Sequence, residues 1–307
     1  MNRISSSMLN SSALQNLQRS QSDMYEAQRK TASGKIADDL KGYGKDTQAI
    51  VSMDRTRAKL ESHIEASKEL NVRLNIQDAQ IGRAADAVAD LRENLTTSLA
   101  LGDLTEVMAY VNSAFSDVKS AFNTTFNGSY VFGGTASNAE PIQADSLADM
   151  AANPLTDSIN QDGSEVRIRV SESRVVTAAP LAKDAATDMM NLLRDLQIFE
   201  DGVDGPFTDN PSEAQKQAIQ SAILGLDSVY EGMLEVQSQN GQVMNQTDTL
   251  IERQQSQADL LANMTAGMTD ADLAQVAVEL NQAQIQFQAT ASIFSTIQSL
   301  SLVDYLR

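Results

Sequence analysis

The chain has 307 residues and sets 23 Lys plus Arg against 41 Asp plus Glu, a net charge of −18. That balance argues against nucleic acid and anionic membrane as partners, because both are bound through clustered Lys and Arg. Cys and Trp are absent and His63 is the single His, which excludes disulfides, thiolate metal sites, Cys nucleophiles and any multi-His centre. The length suggests two domains. Residues Met1–Ser7 lack the apolar core of a secretory signal, and no run of apolar residues is long enough to span a membrane.

Taken in chain order, Asn2 to about Thr31 is rich in Ser, Gln and Asn and nearly uncharged up to Arg19. Its apolar residues Ile4, Met8, Leu9, Leu14, Leu17 and Met24 are spaced for one helix face. Ser33–Lys45 is a break containing Gly34, Gly42 and Gly44. From Ile50 the spacing predicts a long helix with the seam Ile50, Met53, Arg57, Leu60, Ile64, Ser67, Asn71, Leu74, Asp78, Ile81, Ala85 and Val88. Gly102 ends it, and Asp103 with Glu106 is read as the N-cap pair of the next helix, which carries Met108, Val111, Phe115, Val118 and Phe122.

Helical periodicity stops at Phe126–Thr135, where Gly and β-formers take over. Val166, Ile168 and Val170 alternate with Arg167 and Arg169 as in a half-buried strand, and Val175-Val176 is placed to pair back as a hairpin. Helix resumes near Asp184, with Met189, Leu192, Leu196 and Phe199 on one face. After the acidic loop Glu200–Asn210, the run Asn210-Pro211-Ser212-Glu213 is read as a helix start capped by Asn210. The seam that follows is Ile219, Ala222, Leu226, Val229, Met233, Val236, Asn240, Val243, Thr247, Leu250 and Leu261.

Beyond Gly267 the last stretch carries a heptad seam at Leu273, Val276, Leu280, Ala283, Phe287, Thr290, Phe294, Ile297 and Ser301. From Leu273 to Val303 the only charge is Glu279. A second apolar set, Val278, Ile285, Ile293 and Leu300, lies outside the seam. A solvated helix normally places Lys and Glu there. This helix is therefore expected to be covered on most sides by neighbours, either inside one folded chain or in an assembly. The whole reads as mainly α: an antiparallel long-helix, coiled-coil rod with its terminal helices paired, plus a small β-rich insertion.

No catalytic motif is found. Ser33-Gly34-Lys35 lacks the glycine spacing of a phosphate-binding loop, and no zincin or nucleophile-elbow pattern occurs. Glu200, Asp201, Asp204 and Asp209 lack the spacing of a Ca²⁺ loop. Asn127-Gly128-Ser129 fits a glycan sequon, a match that arises often by chance. No enzyme activity, cofactor or metal is expected.

Three segments resemble the flagellin superfamily. Ser33-Gly34-Lys35-Ile36 with Asp38-Asp39 resembles the stretch that follows the first flagellin helix, although Leu40 departs from the family's usual residue there. Phe126-Asn127-Gly128-Ser129-Tyr130-Val131-Phe132-Gly133-Gly134-Thr135 and Ser299-Leu300-Ser301-Leu302-Val303-Asp304-Tyr305-Leu306-Arg307 resemble the hook-associated protein 3 type of that superfamily. The resemblance implies a structural component of the bacterial flagellum, exported unfolded by the flagellar type III apparatus and sited extracellularly at the hook–filament junction. It implies a terminal assembly domain (residues 1–40 and 270–307) forming an inner tube. It further implies a helical rod (41–130 and 182–269) and an outer insertion (131–181).

The assembly residues it implies are Ile4, Leu14, Leu17, Leu273, Val276, Leu280, Phe287, Phe294, Ile297, Leu300, Leu302 and Tyr305. The partners it implies are further copies of the chain, a hook-associated protein 1 type on the hook side, flagellin on the filament side, and an export chaperone. Filament flagellin is the alternative within the superfamily. Outside it, a cytoplasmic coiled-coil signalling protein would keep charged helix faces to its end, and a secretion-system translocator would show a membrane-inserting stretch.

Overall fold

The computed structural model describes residues 2–160, 162–178 and 181–305. Helices form where the apolar spacing predicts them, α1 Asn2–Ser33, α2 Thr47–Leu101 and α3 Val107–Phe122, while a 3-10 turn, Leu40–Asp46, lies largely within the stretch read as a break. After these come the short strands β1 Thr125–Phe126 and β2 Ser129–Tyr130, then α4 Leu147–Ala152 and α5 Leu155–Ser158. β3 Val166–Arg169 and β4 Val175–Ala178 follow. The chain then continues through α6 Ala182–Ala185, α7 Thr187–Glu200, α8 Glu213–Thr269 and α9 Leu273–Tyr305. The chain is mainly α with two small antiparallel two-stranded sheets, β1–β2 and β3–β4. It divides into two compact units, Leu60–Ser256 and Met1–Lys59 with Gln257–Arg307.

In the unit Leu60–Ser256, α2 and α8 run antiparallel. Asn71 donates to Asp248, Asn240 Nδ2 to the Leu74 carbonyl (2.8 Å), Gln237 to Asp78 (3.4 Å) and Arg92 to Asp227 (2.5 Å). The seam of α2 runs through Ile64, Ser67, Leu70, Leu74, Gln77, Ile81, Ala84 and Val88, all buried. It therefore passes through Leu70 and Gln77 rather than Asn71 and Asp78, one residue earlier than the heptad reading. On α8 the seam continues from Asn240 through Thr247, Gln254 and Ala258, so it includes a glutamine where the apolar pattern jumps to Leu261.

Helix ends correct two capping expectations. Asp103 Oδ1 accepts from the Thr105 amide and hydroxyl, closing a local turn, and Glu106 precedes α3 without a side-chain cap bond. At α8 the cap is Ser212 and not Asn210. Ser212 Oγ accepts from the Gln215 amide (3.2 Å) and Gln215 Oε1 accepts from the Ser212 amide (3.1 Å), a reciprocal capping box. The sequon Asn127-Gly128 is the two-residue turn between β1 and β2, with φ of 50° and 78°. Such paired positive φ values favour Asn-Gly for conformational reasons alone.

The stretch between α3 and α6 shares its core with the helices. Val131, Phe132, Ile142, Ala144, Leu147, Met150 and Ile159 are buried in one cluster with α2, α3, α7 and α8. Phe122 meets Phe132 edge-on at 4.9 Å between ring centroids. Side chains of the helices also hold the main chain that lies over them. Arg73 and Gln77 donate to the Val131 carbonyl, Asn123 to Ile142, Lys119 to Ala144, Arg194 to Met150, Lys183 to Gly163 and Gln254 to Val170. Removing the Gln254 amide leaves the buried Val170 carbonyl without that donor. Gln254→Ala is expected to lower unfolding stability by about 1–3 kcal/mol in urea titration, with loss of amide-exchange protection concentrated in β3–β4.

Candidate assembly interface

In the other unit, α1 and α9 pack along their lengths as an antiparallel pair. The Ala271 amide donates to the Gly34 carbonyl (2.9 Å) where the pair begins, and the Ser20 and Thr290 hydroxyls meet at 3.3 Å further along. α1 turns Ala13, Ser20 and Ala27 inward, one heptad apart, with Leu17 and Met24 half-buried between them. α9 turns in Val276 and Ala283, with Leu280, Phe287, Thr290, Phe294 and Ile297 half-buried. Small residues on one helix leave room for the larger seam residues of the other, as coiled-coil packing requires.

Where the pair starts, two linkers cross. Lys35 and Asp270 form an antiparallel bridge, and the Ile36 amide donates to the Thr269 carbonyl (2.8 Å). The Lys35 ammonium reaches Thr269 Oγ1 (3.2 Å) and Asp270 Oδ1 (2.5 Å). Gly34 has φ of 68°, a left-handed position open to glycine. Arg29 pairs with Asp38 (2.8 Å), Asp39 Oδ1 caps the Gly42 amide, and the Tyr43 hydroxyl donates to the Ala37 carbonyl (2.7 Å). The segment Ser33–Asp39 therefore builds a crossover clip. Heptad reading alone had no signal for it, since the clip rests on a bridge between residues 235 apart.

The twelve residues expected at an assembly interface fall into distinct places. Val276 is buried in the pair, and Leu17, Leu280, Phe287, Phe294 and Ile297 are half-buried there. Leu14 (45% exposed) and Leu273 (56%) lie outside the pair, as does Met8, so the face read for α1 is rotated toward Ala13, Ser20 and Ala27. Ile4, Leu300, Leu302 and Tyr305 fall outside the described side chains. The second apolar set of α9 is open: Val278, Ile285 and Ile293 are 66%, 64% and 59% exposed. A groove of about 470 Å³ between α1 and α9 runs past Ala13, Ser20, Thr290 and Ile293. The pair is thus complete on one side and leaves an apolar stripe on another.

No group of three or more His, Cys, Asp or Glu able to hold a metal ion occurs among the described residues. Glu200 instead accepts from the Phe207 amide and Asp201 from Gln197. No described helix is long and apolar enough to cross a membrane.

Two family models cover most of the chain: the bacterial flagellin N-terminal helical region over residues 4–137, and the bacterial flagellin C-terminal helical region over residues 217–306. The chain belongs to the bacterial flagellin family. Flagellin-family chains are structural, non-enzymatic components of the bacterial flagellum, and this one is such a component. Among solved structures, it is similar to a protein assigned as a flagellar hook-associated protein of Vibrio parahaemolyticus. The identity is 12%, the TM-score is 0.58, and the match covers 76% of this chain and 99% of that one. It is also similar to FlgL of Bacillus cereus, at 14% identity and a TM-score of 0.54, over 70% of this chain and 98% of that one. Comparison with curated proteins gives no match. In this flagellin-family chain both family models reach into the unit that holds α1, α9 and the clip.

The clip carries a pH dependence. The hydrogen bond from Lys35, then that from Thr269, holds the Asp270 carboxyl below its ordinary value of 3.8. A depressed carboxylate stabilises the folded form above its unfolded value, and that contribution is lost as pH falls through the folded one. Amide-exchange protection at Ile36 and Ala271 is therefore expected to hold at neutral pH and to fall below pH 3.8. Asp270→Asn should weaken protection at neutral pH and remove the acid dependence. A titration that is the same in both proteins refutes the clip's role.

Proposed function

We propose that this chain is an adaptor layer at the hook–filament junction, of the hook-associated protein 3 type. It is exported by the flagellar type III apparatus and assembled through α1 and α9. The observation that carries the reading is the α1–α9 pair, with one seam closed inside the chain and a second, uncharged apolar stripe open on α9. The fold likeness to a flagellar hook-associated protein and to FlgL agrees with this type, and the Phe126–Thr135 segment and the Asp304-Tyr305-Leu306 run favour it over ordinary flagellin. In this reading residues 1–40 and 270–307 line the inner tube, 41–130 and 182–269 form the rod, and 131–181 face outward. Its neighbours are further copies, a hook-associated protein 1 type and flagellin, and a chaperone clasps Leu273–Leu302 before export.

Deleting the gene is expected to leave hooks without filaments while flagellin is lost to the medium, and immunogold should label a narrow band at the filament base. Label along the whole filament replaces this reading with filament flagellin. Phe287→Asp with Phe294→Asp is expected to abolish incorporation while circular dichroism shows residues 60–256 still folded, because each change puts a charge on a seam that two helices share. Normal incorporation of that double variant rules out assembly through α9.

A further inference from the structure

The β3–β4 sheet has two unlike faces. Val166, Ile168 and Val176 pack inward with Leu70, Leu74 and Val170. The register pairs Arg167 with Thr177 and Arg169 with Val175 on the other face. That face is open: both arginines are exposed and Val175 is 49% exposed. Arg174, at the turn end of β4, is exposed as well. In a chain with 41 acidic residues, none of these three arginines forms a salt bridge among the described residues. Arg169 donates to the Glu172 carbonyl (3.0 Å) and Arg174 to Gln246 Oε1 (2.6 Å), contacts that hold the guanidinium groups in place without neutralising them.

The complement lies in the same chain. Between Lys119 and Arg167 the sequence has no Lys or Arg, and it places Glu140, Asp145, Asp149, Asp157, Asp162 and Glu165 at exposed positions. Lys119 approaches Asp145 at 3.7 Å, and no other described cation pairs with this set. The cationic sheet face and the acidic surface therefore stay unmatched within one molecule.

We infer that the outer face of β3–β4 docks on the acidic 140–165 surface of a second copy of this chain, giving a head-to-tail contact between neighbouring copies. The inference rests on the proposed layered assembly and deepens it, since it names which outer surfaces meet. A head-to-tail contact repeats around a layer, as heterologous interfaces do. Opposite charges across such a contact set register and orientation more than affinity. Val175 and Thr177 supply the uncharged part of the face.

The absence of Cys allows a direct test in isolated flagella. Thr177→Cys on the sheet face, combined with Ala148→Cys on the acidic surface, is expected to give a disulfide ladder of this chain on non-reducing gels, with neither single variant doing so. Arg167→Glu with Arg169→Glu, added to the cysteine pair, is expected to cut the ladder about tenfold, as two exposed ion pairs turned repulsive would. Adding Asp157→Lys with Asp162→Lys to that chain restores opposite charges and should restore the ladder. No ladder from the cysteine pair, or a ladder indifferent to the charge reversals, overturns the inference and leaves the junction reading standing. Failure of the reading itself is seen separately, as immunogold label spread along the filament. A ladder to flagellin instead of to itself also overturns the second copy as occupant.

Discussion

A loop laid across long helices brings its backbone carbonyls out of water, and each must find a donor. In the unit Leu60–Ser256 the donors come from helix side chains. Arg73, Gln77, Lys119, Asn123, Lys183, Arg194 and Gln254 between them engage six carbonyls from Val131 to Val170. The same stretch sends Phe132, Ile142, Met150 and Ile159 into the helical core. Hydrogen bonds to main chain recognise position without recognising side-chain identity. The helices can therefore hold a covering segment whose outer residues are left free for other duties.

That freedom explains the uneven chemistry of the covering segment. Inward residues are apolar and close-packed, while the outward ones carry six carboxylates in one stretch and arginines in the next. The α1–α9 pair shows the opposite economy. On α9 the outward residues are Gln, Ser, Asn and Thr with scattered Val and Ile, and Glu279 is the only charge from Leu273 to Val303, whereas α1 exposes Arg19, Asp23, Glu26 and Arg29 in its second half. Uncharged polar groups cost less to desolvate than ions, so such a face can be covered by a neighbouring helix without stranding a charge.

Much of this was legible in the sequence. Heptad spacing located α2, α8 and α9, and period-two alternation located β3, because burial on one face imposes those periods directly. The misreadings have local causes. Asn210 and Ser212 are both good caps, and only the return bond from Gln215 decides between them. Gln254 breaks the apolar pattern, yet it is buried with its amide on the Val170 carbonyl. On α1 the inward positions are Ala13, Ser20 and Ala27, residues with too little apolar weight to outvote Met8 and Leu14 in a hydrophobicity pattern. The clip between Lys35 and Asp270 joins segments far apart in the chain, which no local pattern reports.

The buried polar residues of α8 have a mechanical consequence. Asn240, Thr247 and Gln254 stand seven residues apart on one seam. Two helices with uniform leucine seams can slide by a whole heptad and recover nearly the same packing, since every repeat looks alike. Here successive repeats carry side chains of different length and different bonding. Asn240 reaches the Leu74 carbonyl, Thr247 bonds back to Val243 and Gln254 reaches Val170. A shift of one repeat would part Asn240 from the Leu74 carbonyl and Gln254 from the Val170 carbonyl and strand both buried amides, while Thr247, bonded within its own helix, adds a repeat of different size. The series works as a vernier against shear, so the α2–α8 pair resists sliding without any covalent staple.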